Sequence, residues 1–282
     1  MKGLIQRAIT ALIFVLVMIG GLFGGVYSFL LLFAIITGLC LWEFLGHTLE
    51  NENQFRDLCR KALGVLLGLS PFVLVSILHL GYIQSKTDFI LITSLLTFPF
   101  IFGAFIFELF TKSTRPFANV AYIVLGMVYI GIPFAMLDFI AFQNGVFNAN
   151  IIFGILSLTW MNDTGAYLIG SKVGKTPLFP RISPKKTWEG SMGGIFVGLL
   201  FGYLLSVFFN EELTTGQWLT LSIIVVIFGS LGDLIESMLK RSLNIKDSGS
   251  ILPGHGGMLD RFDAFIFVVP FATAYLLWVQ TT

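Results

Sequence analysis

Long apolar stretches recur along the whole chain, and they restrict its fold more than any other feature. A helix needs about 20 mostly apolar residues to cross the hydrocarbon core of a bilayer. Nine such stretches cover residues 8–22, 26–46, 62–80, 89–110, 118–140, 150–170, 191–209, 218–238 and 262–279. With 56% hydrophobic and only 12% charged residues, the chain has more apolar surface than a soluble domain of this size could bury. We therefore predict an all-α, polytopic integral membrane bundle of about nine transmembrane helices.

The first stretch resembles the apolar region of a signal peptide, because it follows Lys2 and Arg7. No small-residue cleavage site follows it, so we interpret it as the first membrane helix. A glycine-rich turn joins it to the stretch 26–46. A re-entrant hairpin over residues 8–46 is therefore an alternative to two full spans.

The distribution of positive charge predicts the orientation in the membrane. When the connections between the nine stretches are assigned alternately to two sides, 16 of the 17 Lys and Arg residues fall on one side, and Lys86 alone falls on the other. Cytoplasmic connections carry an excess of Lys and Arg. The N-terminus is thus predicted to be cytoplasmic and the C-terminus to lie on the opposite side, with the polar segment 47–61 forming a surface or interfacial helix.

The polar residues divide the chain into two predicted regions. Residues 1–150 are predicted to form N-terminal transmembrane helices, a scaffold that makes dimer or lipid contacts. We predict that residues 151–282 form a transmembrane catalytic region, because its cytoplasmic loops 171–190 and 239–261 hold 9 of the 17 Lys and Arg residues. Cys40 and Cys59 lie in no metal-binding or disulfide pattern, so neither a zinc site nor a disulfide framework is predicted.

Polar residues at membrane depth mark the start of the catalytic region. Asp163 lies in an otherwise apolar stretch beside Asn162, and an intramembrane carboxylate is costly unless it is paired or faces water. It either has a functional role or only locks helices together. Lys172 and Lys175 lie in a sequence that resembles a phosphate-binding loop but has the wrong glycine spacing. They are candidates for phosphate or headgroup contacts, or they form an ordinary basic patch beside the membrane.

Two further groups of carboxylates lie near loop 239–261. Asp233, Glu236, Ser237 and Lys240 have the spacing of one helix face, which predicts either a site or a solvated rim. Asp260 and Asp263 begin the last stretch, where carboxylates also cap helix N-termini. Carboxylates bind hard divalent cations, and such cations together with Lys and Arg neutralise phosphates. The combination is typical of phosphoryl chemistry.

A longer pattern connects these residues to a known family. The segment 237–263, SMLKRSLNIKDSGSILPGHGGMLDRFD, resembles the signature of phosphatidate cytidylyltransferases, also called CDP-diacylglycerol synthases. The upstream segments NDTGAY (162–167) and SPKKTWEG (183–190) resemble a second block of that family. The resemblance is strong over about residues 160–265, whereas over 1–150 it extends only to size and hydropathy.

The resemblance implies that CTP and phosphatidic acid react to give CDP-diacylglycerol and pyrophosphate at a metal-dependent site. It places metal ligands at Asp233, Asp260 and Asp263, with Asp247 and Asp163 as further candidates. The implied catalytic residues are Asp233, Ser237, Lys240, Arg241, Lys246, Asp247, His255, Asp260, Arg261 and Asp263. The implied substrate-binding residues are Asn162, Asp163, Lys172, Lys175, Ser183, Lys185, Lys186, Thr187 and Glu189.

The same resemblance implies Mg²⁺ or Mn²⁺ as cofactor, and it leaves open a second cation, monovalent or divalent. It also implies a homodimer in the cell (inner) membrane, with the active site facing the cytoplasm and no nucleic acid partner. Two alternatives stay open at this point. One is a CTP-dependent polyprenol or lipid kinase, in which a lipid alcohol accepts the γ-phosphate. The other is a secondary transporter with intramembrane carboxylates as ion sites.

Overall fold

Helices form over every apolar stretch that the sequence analysis identified. The computed structural model describes residues 2–50, 54–251 and 256–281. The helices are α1 (Lys2–Phe23), α2 (Val26–Thr48), α3 (Gln54–His79), α4 (Lys86–Thr111), α5 (Pro116–Gly126), α6 (Ile132–Ala141), α7 (Asn150–Val173), α8 (Trp188–Phe208), α9 (Thr215–Ser242) and α10 (Leu259–Thr281). A π-helical turn, Met127–Gly131, joins α5 to α6 into one continuous segment.

Seven helical segments within the described residues are long and apolar enough to cross a membrane. Helices α1 and α7 are the two that are not among them. The apolar part of α1 extends only over Ala8–Phe23, and α7 carries Asn162 and Asp163 at mid-length. The prediction of an all-helical, polytopic membrane protein is confirmed. Since α1 and α2 are separate helices of 22 and 23 residues, the structure favours two segments over a short re-entrant hairpin.

The chain forms two compact units. The first unit comprises residues 1–147 and 247–261, and the second comprises residues 148–246 and 262–282. The boundary near residue 147 lies close to the predicted one, but the segment 247–261 belongs to the first unit. The assignment of a scaffold role to one region and a catalytic role to the other stays a prediction.

Polar contacts at one end of the first unit join three connections between helices. The carboxylate of Glu50, which follows α2, accepts hydrogen bonds from the hydroxyls of Ser113 and Thr114, which follow α4. The ring Nε2 of His47 donates to the carbonyl oxygen of Ser248, 2.8 Å away, in the segment before α10. All three connections were assigned to the same side of the membrane from the charge pattern, so these contacts agree with that alternation.

The interfacial helix predicted over residues 47–61 is wrong. Helix α2 continues to Thr48, and α3 begins at Gln54, so the polar residues extend two membrane helices instead of forming a third element. The physical reason is the environment of Arg60, which is buried and forms ion pairs with Glu108 of α4 and with Asp57 one turn earlier. A paired arginine can be buried within a helix, so α3 does not need to break there.

Glycines allow helices α7, α8 and α9 of the second unit to pack closely. A Cβ atom on Gly193 of α8 would collide with Ile169 of α7, and one on Gly165 of α7 would collide with Val197 of α8. A Cβ on Gly198 would likewise meet a side chain of α9. Small residues at helix contacts are characteristic of membrane proteins, where close approach of the backbones supplies the packing energy.

A short hairpin lies between α7 and α8 in the second unit. Strand β1 (Pro177–Phe179) pairs in antiparallel fashion with β2 (Ser183–Thr187), within the loop predicted to be cytoplasmic. At the opposite end of this unit, the carboxylate of Glu212 accepts hydrogen bonds of 2.6 Å from the side-chain amides of both Asn148 and Asn150.

Candidate phosphate and metal site

Strand β2 carries a lysine to the carboxylate of helix α9. The Nζ atom of Lys186 lies 2.5 Å from Oδ2 of Asp233, and the two side chains are 27% and 30% exposed. Strand β2 ends at Thr187, whose hydroxyl caps α8 by accepting a hydrogen bond of 3.1 Å from the backbone N–H of Gly190. The cap fixes where the strand becomes a helix, so it fixes the position of the preceding lysine.

The polar face that the spacing of α9 predicts is present in the structure. Ser237 donates a hydrogen bond of 3.3 Å to Oδ1 of Asp233, four residues earlier. Lys240 forms an ion pair with Glu236, also four residues earlier. Glu236 is fully buried, whereas Asp233 and Lys240 keep partial access to solvent. The accessible members of the face are therefore a carboxylate and an ammonium group about two turns apart, with the Ser237 hydroxyl between them.

Three carboxylates are grouped in the second unit. Asp263 lies close enough to Asp233, Asp163 and Lys240 to interact electrostatically with all three. One oxygen of Asp263, Oδ1, accepts a hydrogen bond of 2.8 Å from the backbone N–H of Ala264. Like charges at short range repel, so such a group is most stable when cations lie among them. Lys186 and Lys240 supply two of those cations.

Asn162 and Asp163 point in different directions from α7. Asn162 is buried, and its side-chain oxygen lies where a Cβ atom on Gly194 of α8 would stand. Asp163 is exposed. The packing favours a helix-contact role for Asn162, whereas Asp163 belongs to the carboxylate group.

Glu189 organises the turn before the hairpin. Its carboxylate accepts hydrogen bonds from the backbone N–H groups of Lys175 and Thr176 at 3.1 to 3.2 Å and from the Thr176 hydroxyl at 2.9 Å. A carboxylate with this role shapes the loop and does not itself need to contact a substrate. The predicted substrate-binding residues at exposed or half-exposed positions nearby are Lys172, Lys175, Ser183 and Lys185.

The end of α9 presents further basic residues. Arg241 is exposed and donates a hydrogen bond of 3.4 Å to the carbonyl oxygen of Ile245. Asn244 has a positive φ of 56°, a conformation that Asn adopts more readily than most residues, and it follows directly after the end of the helix. Lys246 is exposed and is the last residue of the range 148–246 that belongs to the second unit.

The remaining predicted residues belong to the first unit. Oδ2 of Asp260 accepts hydrogen bonds from the backbone N–H groups of Ser248 at 2.9 Å and Gly257 at 2.8 Å. Asp247 and Arg261 are exposed. His255 lies outside the described residues. Both donors precede α10, so these hydrogen bonds hold the backbone before the helix, and they do not test the role of Asp260 as a metal ligand.

One buried carboxylate at this end of the first unit was missed by the sequence analysis. Glu43 of α2 accepts hydrogen bonds from the backbone N–H groups of Met258 at 3.0 Å and Leu259 at 2.8 Å, at the start of α10. The signal was present, because Glu43 is the only charged residue within the apolar stretch 26–46. It was overlooked because its partners lie more than 200 residues later in the chain.

The donor set of the second unit fits a hard divalent cation. Among the described residues, no three His, Cys, Asp or Glu side chains converge closely enough to hold a metal by themselves. Mg²⁺ does not require such a cage, since it is commonly held by one or two carboxylates together with substrate phosphates and water. Asp233 and Asp263 provide that number of carboxylates, and the neighbouring lysines suit phosphate oxygens.

Apolar helices with carboxylates and lysines grouped on them define an integral membrane protein with a site suited to phosphate ligands. A sequence profile of the cytidylyltransferase family matches residues 5–279. The chain belongs to this family.

The chain is similar to phosphatidate cytidylyltransferases over nearly its whole length. That of Staphylococcus saprophyticus is 34% identical over 278 residues, 97% of this chain and 99% of the relative. That of Staphylococcus aureus strain COL is 34% identical over 96% of this chain and 98% of the relative. That of Bacillus subtilis is 42% identical, but the match covers 58% of this chain and 61% of the relative. The resemblance inferred from the signature is confirmed, and it extends through residues 1–150.

Proposed function

We propose that this protein is a phosphatidate cytidylyltransferase, a nucleotidyltransferase that transfers CMP from CTP to phosphatidic acid and releases pyrophosphate. The observation that carries the proposal is the full-length similarity to proteins with this name. The grouping of Asp163, Asp233 and Asp263 with Lys186 and Lys240 supports it, because both substrates present phosphates. Family membership favours nucleotidyl transfer over the lipid kinase and the transporter.

The chemistry is the displacement of pyrophosphate at the α-phosphorus of CTP. A phosphate oxygen of phosphatidic acid forms the new bond to this phosphorus. The bond from the α-phosphorus to the oxygen that bridges it to the β-phosphate breaks, and pyrophosphate leaves with the electron pair. The attacking phosphate is already ionised, so no general base and no covalent intermediate are required. Because both reactants are anions, catalysis depends on their positioning and on neutralisation of their charge.

The residues of the second unit divide this work between them. Lys186 and Lys240 bind phosphate oxygens and hold the two anionic substrates together. Ser237 orients the carboxylate of Asp233 through its hydrogen bond. Asp233 and Asp263 would hold Mg²⁺ or Mn²⁺, with a second monovalent or divalent cation as a further proposal. The metal ion, when bound, supplies positive charge to the phosphates and to the leaving pyrophosphate. In the first unit, Asp260 keeps its proposed role as a metal ligand.

We further propose that the site faces the cytoplasm and that the protein is a homodimer in the bacterial inner membrane. The distribution of Lys and Arg supports the orientation, and bacterial relatives support the location. The dimer rests on the family resemblance. Labelling of cysteines introduced at Lys175 and at Glu212, from outside intact cells, tests the orientation, since only the second should react. Light scattering of the purified protein in detergent tests the dimer.

The decisive experiment follows the label of CTP. Purified protein in detergent is given phosphatidic acid, Mg²⁺ and CTP labelled at either the α- or the γ-phosphate. We expect the α-label to enter the lipid and the γ-label to leave as pyrophosphate. Transfer of the γ-label to an added lipid alcohol would instead establish a lipid kinase. If folded protein moved neither label, the proposed function would be wrong.

A further inference from the structure

The segment 247–261 carries much of the family signature, and its described residues 248 and 257–260 contact a helix near the other end of the chain or one another. Glu43 of α2 is only 5% exposed. Its Oε1 accepts a hydrogen bond from the N–H of Met258 at 3.0 Å, and its Oε2 accepts one from the N–H of Leu259 at 2.8 Å. Helix α10 begins at Leu259, so the two oxygens satisfy N–H groups that the start of a helix leaves without intrahelical partners.

The same carboxylate holds the other side of the segment through Ser248. The Ser248 hydroxyl, 2% exposed, donates a hydrogen bond of 3.2 Å to Oε2 of Glu43 and accepts one of 3.2 Å from the N–H of Asp260. Asp260 in turn accepts from the N–H groups of Ser248 and Gly257. His47, one helical turn after Glu43, donates to the Ser248 carbonyl oxygen. These hydrogen bonds form a closed set that fixes both ends of the segment against α2.

Two glycines of the segment are explained by this carboxylate. A Cβ atom on Gly249 or on Gly257 would collide with the Glu43 side chain. Gly257 is buried, and its N–H also donates to Asp260. The segment therefore has glycine at the points where the backbone must approach the carboxylate closely.

We propose that Glu43 is a positioning residue for the transfer reaction, and that it acts by holding Ser248 and residues 257–260 in the arrangement that presents Asp260. Glu43 contacts neither substrate nor metal in this role. The inference rests on the proposed function for its effect on catalysis, because Asp260 is a metal ligand only under that proposal. Its structural half, the attachment of the segment to α2, can be tested independently of any activity.

The test uses Glu43→Gln in the full-length protein in detergent. Both Glu43 oxygens accept from backbone N–H groups, and a glutamine offers one oxygen, so its NH₂ group would face a donor. We expect kcat to fall at least about tenfold, which is the scale expected for the loss of a buried hydrogen bond. The KM for CTP should change less than about threefold. The matched control is Glu108→Gln, which changes another buried carboxylate of the first unit, whose hydrogen bonds among the described residues are with Arg60, Thr111 and Asn119. Its folded fraction should keep the kcat of the parent protein.

A second readout needs no activity. Met258 is 8% exposed. In a protein whose Cys40 and Cys59 have been replaced, a thiol introduced by Met258→Cys should therefore react slowly with a maleimide. Adding Glu43→Gln should accelerate labelling at least about tenfold, because the segment then opens from α2. Adding Glu108→Gln should not. If the Glu43→Gln protein does not fold, the His47→Ala variant is used in its place. We expect it to accelerate maleimide labelling by a smaller factor.

The outcomes separate the two proposals. Unchanged labelling in both the Glu43 and the His47 variants would overturn the inference, whatever the activity. Faster labelling with kcat unchanged would show that the attachment exists but does not position a catalytic group, which also overturns it. Faster labelling in a protein that never transfers CMP would instead reject the proposed function and leave the attachment standing.

Discussion

The two units use their charged residues in opposite ways. In the first unit, Arg60 and Glu108 are each 3% exposed and are paired with each other. In the second unit, Lys186 and Asp233 are paired but 27% and 30% exposed, and Asp233 interacts with another carboxylate, Asp263. The first arrangement balances each charge inside the protein. The second brings like charges together where solvent or a ligand can reach them.

This difference separates residues that stabilise the fold from residues that are available for chemistry. A buried ion pair contributes a unique helix contact, and its removal leaves an uncompensated charge. A half-exposed group of carboxylates and lysines has a different use, since it can exchange its internal partners for phosphates and a metal ion. The comparison predicts that substitutions of the buried Arg60–Glu108 pair change stability and that substitutions in the half-exposed group of the second unit change turnover.

The largest effect is expected for Asp233→Asn. The substitution keeps the shape of the side chain and removes the charge that faces Lys186 and Asp263, so we expect kcat/KM to fall at least about 100-fold. Circular dichroism and thermal unfolding should stay close to those of the parent protein. The matched control is Glu212→Gln, at the opposite end of the second unit, where the carboxylate binds only Asn148 and Asn150 among the contacts described. If the two variants lost activity equally, the carboxylate group would have no special role.

A stability effect is expected for Arg60→Met. It leaves Glu108 buried without its cation, which costs about 3 kcal/mol of unfolding free energy. The double variant Arg60→Met with Glu108→Met removes both charges and should recover most of that loss. Thermal unfolding in detergent measures the three proteins, and the kcat of each folded fraction should be unchanged. A kcat that fell along with the loss of the ion pair would contradict the distinction between this buried pair and the half-exposed group of the second unit.

The fold was predictable where a single physical signal dominates. Among the described residues, apolar length located nine helical segments, of which seven are long and apolar enough to cross a bilayer. The segment 47–61 was mispredicted because composition shows that Arg60 is charged but cannot show that Glu108 compensates it. The same limit hid Glu43, whose partners, Ser248 and the start of α10, become neighbours only in the fold.

The site was predictable as a set of residue types and less so as a set of contacts. Helical spacing correctly placed Asp233, Ser237 and Lys240 on one face. No spacing rule could place Lys186 beside Asp233, since the hairpin that carries the lysine is separated from α9 by a whole membrane helix. Motif resemblance grouped Glu189 with the substrate-binding residues, whereas its hydrogen bonds are those of a residue that shapes a loop.

A smaller effect is expected for Thr187, which is both a helix cap and a predicted substrate contact. Thr187→Ala removes the hydroxyl that accepts from Gly190, and loss of a cap costs about 1 kcal/mol. Thr214→Ala removes the corresponding cap of α9 and is the control. Both should lower the unfolding temperature similarly. A raised KM for CTP in the Thr187 variant alone would assign it a contact with the substrate, and equal KM values would restrict it to the cap.

The smallest effect concerns Glu50, outside the membrane-spanning helices. Burial raises its pKa, but hydrogen bonds from Ser113, Thr114 and Asn119 and the charge of Arg60 outweigh burial and lower the pKa from 4.5 to about 2. Since the folded pKa lies below the unfolded one, ionised Glu50 contributes stability in full above about pH 5 and loses that contribution as the pH falls from about 4.5 to about 2.

The unfolding temperatures of the parent protein and of Glu50→Gln should therefore differ most at neutral pH, and the difference should shrink progressively as the pH falls from about 4.5 toward about 2. Glu50 is partly exposed, so solvent screens its interactions and the difference will be modest. A Glu50 difference that stayed constant down to pH 3 would mean that the side chain stabilises by shape and not by charge. The stability of the first unit would then depend less on charged interactions than its buried Arg60–Glu108 pair suggests.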